Sequence, residues 1–71
     1  MGEAIFDIYQ IHYDLGDKIN RVALVSASSG VEAKTIAIVE AGLGGTRTGK
    51  PHTTGFKSDV KGVVGYYLPN A

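Results

Sequence analysis

Two stretches of this chain, Ile5–Tyr13 (IFDIYQIHY) and Ile19–Ala27 (INRVALVSA), have the β-branched and aromatic content of strands and are apolar on both sides. In the first, Ile5, Tyr9, Ile11 and Tyr13 share one face with Asp7, while Phe6 and Ile8 begin the other, which turns polar at Gln10 and His12. In the second, Val22 and Leu24 alternate with Ala23 and Val25. Strands apolar on both faces are normally covered on both faces. Only one segment elsewhere has a helical pattern, and one helix covers one face. This mismatch governs what the chain can fold into.

The helix is signalled by Ser29 as N-cap with Glu32 three residues on, a reciprocal capping pair that satisfies amides the first turn leaves unbonded. The pattern predicts a helix over Val31–Ala41, with Ala33, Ile36, Ala37 and Glu40 on one side and Val31, Thr35 and Ile38 adjoining. Gly42 suits the left-handed residue that ends many helices. The stretch Asp14–Lys18, with Gly16, reads as the turn of a hairpin. Val60–Leu68 reads as a last strand, with a bulge signalled by Gly62 and Gly65, and Pro69 ending it. The predicted class is α+β, a single β-β-α-β domain over residues 1–71. A right-handed crossover makes the last strand parallel to the second, and placing it beside the first gives a three-stranded sheet of order 2-1-3 with the helix on one face.

Length sharpens the mismatch. A chain of 71 residues buries only about 60% of the surface its unfolded form exposes, and such a core supplies about 3–5 kcal/mol. There is no cysteine, so neither a disulfide nor a thiolate metal site can staple the fold. Self-association remains, and it would also cover the second face of the sheet. A homo-oligomer is therefore expected, with Tyr9, Ile11, Val25, Val64, Tyr66 and Tyr67 as candidate interface residues.

Between the helix and the last strand, residues 42–58 read as a long, basic Gly/Thr-rich loop. Gly42–Gly55 holds five glycines, four threonines, Arg47, Lys50 and His52, and no acid. The formal net charge is zero, yet the first 43 residues carry three cations against six carboxylates, and the remainder carries Arg47, Lys50, Lys57 and Lys61 against Asp59 alone. Gly44–Lys50 has the glycine and lysine spacing of a phosphate-binding loop, but Pro51 stands where a hydroxyl would hold magnesium, and the segment follows a helix instead of a strand. A nucleotide-hydrolysing loop is excluded. A simpler anion site is not, and its candidates are Arg47, Lys50, His52, Lys57 and Lys61.

Other chemistry-bearing residues carry weaker patterns. His12, Asp14 and Asp17 match no metal-ligand spacing, and the turn itself selects the two aspartates. Ser26, Ser28 and Ser29 lack the glycine frame of a nucleophile, and capping accounts for Ser29. No catalytic residue, metal or cofactor is assigned. No apolar run reaches the roughly 20 residues that span a bilayer, and the N-terminus lacks the pattern of a secretion signal. The expected compartment is the cytoplasm.

The hairpin followed by Ala27-Ser28-Ser29-x-x-Glu32-Ala33 resembles small β-β-α domains, including some short phage or mobile-element proteins, and the likeness carries no functional motif. The expected function is a non-enzymatic protein-interaction module acting as a homo-oligomer, of a regulatory or phage-accessory kind. Its expected partners are itself and a protein with an acidic surface, with no membrane. The alternative, less favoured, is a nucleic-acid or anion-binding module using the basic loop.

Overall fold

The computed structural model describes residues 5–43 and 47–69. Among them are β1 (Phe6–Asp14), β2 (Arg21–Ala27), α1 (Gly30–Glu40), β3 (Arg47–Thr48), β4 (His52–Ser58) and β5 (Gly62–Tyr67). The α+β class with one helix is as expected, but the sheet has five strands and every pairing in it is antiparallel.

β1 and β2 form the central hairpin, in register from Asp7 opposite Ala27 to Tyr13 opposite Arg21. Its turn is built from side chains bonding their own backbone: the Gly16 N–H donates to Asp14 Oδ1 (2.8 Å) and the Ile19 N–H to Asp17 Oδ1 (3.1 Å). Arg21 then clamps Asp17 through both nitrogens, at 2.9 and 2.8 Å.

The segment expected to be loop supplies the strands beside β1. β3 pairs with its end, Gly49 N–H donates to the His12 carbonyl (2.7 Å), and β4 pairs with its beginning. Thr53, Thr54 and Phe56 are good strand formers. Gly55, at φ 87°, lies where the pairing shifts register between Asp7 and Tyr9. That left-handed backbone favours glycine, and it makes the sequence read as a loop. Thr54 fixes the irregularity by donating from Oγ1 to the Ile8 carbonyl (2.9 Å). Residues 44–46, the glycine pair and threonine of the expected loop, lie outside the described residues.

The sheet order is also corrected. β2 and β4 are both antiparallel to β1, so they run parallel to each other with β1 between them. The place expected for the last strand is thus occupied by β4. β5 takes the opposite edge, antiparallel to β2, with its own register shift between Leu24 and Val25. The crossover rule fails here because it was applied to a strand that is not the next one after the helix.

α1 begins and ends as its sequence dictates. The Glu32 N–H donates to Ser29 Oγ (3.1 Å), and Glu32 accepts in return from the Ser28 N–H (2.8 Å). At the other end Gly42 takes φ 68° and Leu43 folds back, buried, with its N–H donated to the Ala37 carbonyl (3.4 Å). The buried side of the helix is Ala33, Ile36 and Ala37. It packs over Tyr9, Ile11 and Tyr13 of β1 and Ala23, Val25 and Ala27 of β2, with Val63 alongside. Alanines at Ala23, Ala27, Ala33 and Ala37, all fully buried, let helix and sheet approach closely. Pro51 lies against the start of the helix: a Cβ placed on Gly30 would stand 3.5 Å from it.

Ile11 is fully buried at the centre of this layer. Truncation there removes transfer energy and leaves a cavity, at a cost of about 2–5 kcal/mol. Ile11→Ala should therefore abolish most of the cooperative urea transition of so small a core, and circular dichroism through a urea titration measures it.

Candidate functional site

The face of the sheet opposite α1 carries no covering element among the described residues. Pairing register assigns it: Ile8 and Gln10 of β1 stand with Leu24 of β2, and Thr54, Phe56, Val64 and Tyr67 border the same shallow concavity of about 400 Å³. Phe56 is 73% exposed, Val64 46% and Tyr67 43%. None of the residues lining the concavity carries a formal charge. One polar bridge spans it, from the Tyr67 O–H to Gln10 Oε1 (3.2 Å). Val22, directly opposite Tyr67 and His12, is fully buried although no helix lies on its side. Beneath the surface, Ser26 Oγ is buried without a hydrogen-bond partner among the described residues.

The six residues expected at an interface separate here into two sets. Tyr9, Ile11 and Val25 are buried beneath α1 and belong to the core. Val64 and Tyr67 border the open face, whereas Tyr66, opposite Ala23, points to the helix side beyond the helix itself. The reason lies in the alternation of β1 and β2. One face is apolar throughout from Tyr9 to Tyr13 and small at Ala23 and Ala27, so it accepts the helix. The other includes Gln10, His12 and Ser26 and is left uncovered. Phe56 and Ile8 were not among the six. For Phe56 the legible signal was the Thr-Thr-x-Phe alternation ahead of Lys57, masked by Gly55.

The basic residues do not converge. Arg47 pairs in register with Asp14 and Lys57 with Asp7, seven residues apart along β1, which is about 23 Å at the rise of a strand. Lys57 is ion-paired with Asp7. Lys61 reaches Glu32 at 3.3 Å and lies 5.3 Å from the centre of the Phe6 ring. Arg47, Lys50 and His52 follow the β3–β4 edge, with His52 opposite Gln10. Arg47 also lines a cleft of about 340 Å³ together with His12, Asp14, Lys18 and Asn20. In it His12 Nδ1 and Asn20 Oδ1 are 3.1 Å apart, so the ring N–H has a neutral acceptor and no carboxylate. Asp17 is held by Arg21 and is not part of the cleft. Ser29 caps the helix, and Ser26 lies four residues along β2 from Val22, the partner of His12.

A second exposed apolar feature runs along the outside of α1, where Val31, Ile38 and Val39 face away from the sheet. It shares that side of the helix with the exposed Thr35. Among the described residues no group of His, Asp and Glu side chains is placed to hold a metal ion, and no helix is long and apolar enough to cross a membrane. No protein-family model, curated protein or solved structure matches the chain.

Two carboxylates have shifted acidity, both at structural joints. The Arg21 guanidinium, aided by the Ile19 amide, holds Asp17 well below the usual carboxylate range. The Ser28 amide, with Lys61 adding to it, lowers Glu32. A folded-state pKa below the unfolded value gives stability that is present above the unfolded pKa and lost as pH falls through the folded one. The urea midpoint should therefore be flat from neutral pH down to about 5 and fall below about 4. Glu32→Gln should show a shallower fall than the parent chain in the same titration.

Proposed function

We propose that this chain is a small non-enzymatic protein-interaction module that acts as a homo-oligomer. The observation that carries the reading is the uncharged, partly aromatic face of the sheet left uncovered by α1. Exposed apolar area of this kind marks contact sites on small folds, and aromatic side chains are enriched in the centres of interfaces. The non-enzymatic part is supported by the dispersal of the ionisable groups. His12 bonds to Asn20, Asp17 to Arg21, Asp7 to Lys57 and Glu32 to Lys61, so each is engaged in holding the fold together.

Shape supports the same reading. The Cα radius of gyration is 12.0 Å, against about 11 Å for a rounded domain of this length, and the extents are 46 × 23 × 16 Å. The chain is a two-layer slab with one broad face open. A standard interface takes about 800 Å² from each partner, roughly a sixth of the 4650 Å² this chain exposes.

Sedimentation equilibrium tests the reading across about 1–100 µM, a range that spans association free energies of roughly −8 to −5.5 kcal/mol. A mass above that of the single chain, rising with concentration, is the expected result. A monomer at the upper limit contradicts it.

A second reading, binding of an anion or nucleic acid, is favoured by one observation: Arg47 and Lys18 line the same cleft, and neither is ion-paired among the described residues. If phosphates are bound there, Arg47→Ala combined with Lys18→Ala should elute from a polyanion column at lower salt than the parent. Unchanged elution would dispose of it.

A further inference from the structure

We infer that two copies of this chain stack their helix-free sheet faces about a two-fold axis, with Phe56 of each seated against Ile8, Leu24 and Val64 of the other. The inference rests on the homo-oligomer reading above and specifies the surface, the partner and the anchor.

A two-fold interface sets one patch against the same patch on the second copy, so the patch must contain both a projection and its complement. This face has both. Phe56 stands on the edge strand β4, 73% exposed, at the rim of a concavity of about 400 Å³ whose floor includes Ile8 and Leu24 and whose far rim includes Val64. The concavity has room for an aromatic ring, and burying one removes about 150–250 Å² from water. Because β4 and β5 lie on opposite sides of the β1–β2 hairpin, the projection and the far rim fall on opposite sides of the patch centre. A two-fold rotation exchanges them.

Charge selects the occupant. Near a two-fold axis each charge approaches its own copy, and like charges placed opposite one another repel. The residues lining this concavity carry none, whereas Asp7, Arg21 and Lys57 take the helix side of the sheet. A nucleic-acid strand across the same face would need cations beside its phosphates. Of the cations without an ion pair among the described residues, Lys18 lies in the hairpin turn, Lys34 on α1, and Arg47 and Lys50 along one edge, and none lines the concavity. The rival surface is that of Val31, Ile38 and Val39 on α1, and none of these three lines this concavity or the cleft beside Arg47.

The test is sedimentation of the parent chain with Phe56→Glu, Phe56→Leu and Val39→Glu, each checked for folding by circular dichroism. The parent should be a dimer. Phe56→Glu should weaken association by about 30-fold or more, as expected for a central interface anchor, Phe56→Leu should weaken it less, and Val39→Glu should match the parent. A dimeric parent whose association Phe56→Glu leaves unchanged, or Val39→Glu dissolves, overturns the arrangement while the homo-oligomer reading stands. A monomeric parent overturns both.

Should Phe56→Glu fail to fold, methyl NMR of the parent on dilution decides. Shifts at Ile8, Leu24 and Val64 are expected, and shifts confined to Val31, Ile38 and Val39 overturn the arrangement. Adding a single-stranded oligonucleotide should leave the methyl signals of Ile8, Leu24 and Val64 unmoved. Displacement of the dimer by it would instead give the face to nucleic acid and overturn the proposal.

Discussion

Everything in this fold depends on the contact between α1 and the helix-side face of the β1–β2 hairpin. The helix has 11 residues and buries only Ala33, Ile36 and Ala37, with Leu43 tucked in behind it. Four fully buried alanines at the contact keep the layers close, and close layers are how so few side chains seal Ile11 and Val25 from water. The same economy leaves nothing for the other side. Coverage of one face and exposure of the other are a single fact, set by there being one helix among the described residues.

The path of the chain around that layer is constrained almost as tightly. β4 and β5 flank the hairpin on opposite edges, three strand spacings apart, which is about 14 Å. Only Asp59, Val60 and Lys61 join them, and four residue steps extend at most about 14 Å. The connection therefore crosses the end of the hairpin with little slack. Lys61 secures it by reaching Glu32 in the first turn of α1 and lying near the Phe6 ring. The residue that caps the helix thus also ties down the strand crossover, so the two layers are joined at one corner by Glu32.

Much of this was legible in the sequence, for identifiable reasons. The cap at Ser29 and Glu32, the stop at Gly42 and the buried triplet of α1 all follow from local chemistry that tertiary structure did not override. The hairpin was legible because Asp14 and Asp17 bond their own turn. The strand β4 was not, because Gly49 and Pro51 just ahead of it and Gly55 within it are loop residues in isolation, and Gly55 becomes a strand residue only when β1 supplies partners and Thr54 fixes the irregularity. That one omission moved the last strand to the wrong edge. The choice between the two faces of the hairpin was also hidden, since Ile8 and Leu24 are as apolar as Tyr9 and Val25. What separates them is the company they keep, Gln10, His12 and Ser26 on one side and Ala23 and Ala27 on the other. The candidate face inherited both difficulties, because Phe56 lies on the missed strand.

The register shifts opposite Ile8 and beside Leu24 place an irregularity in two of the outer strands, one at Gly55 of β4 and one in β5, while the third, β3, is only two residues long. Irregular edges resist adding a further strand, because they break the even row of donors and acceptors that a newcomer would copy. A sheet that discourages growth along its edges has its faces left as the direction in which to grow, and α1 already occupies one of them. Stacking of the kind proposed would then be self-limiting: the first partner consumes the remaining direction, and the assembly terminates as a pair, with no route to a fibre.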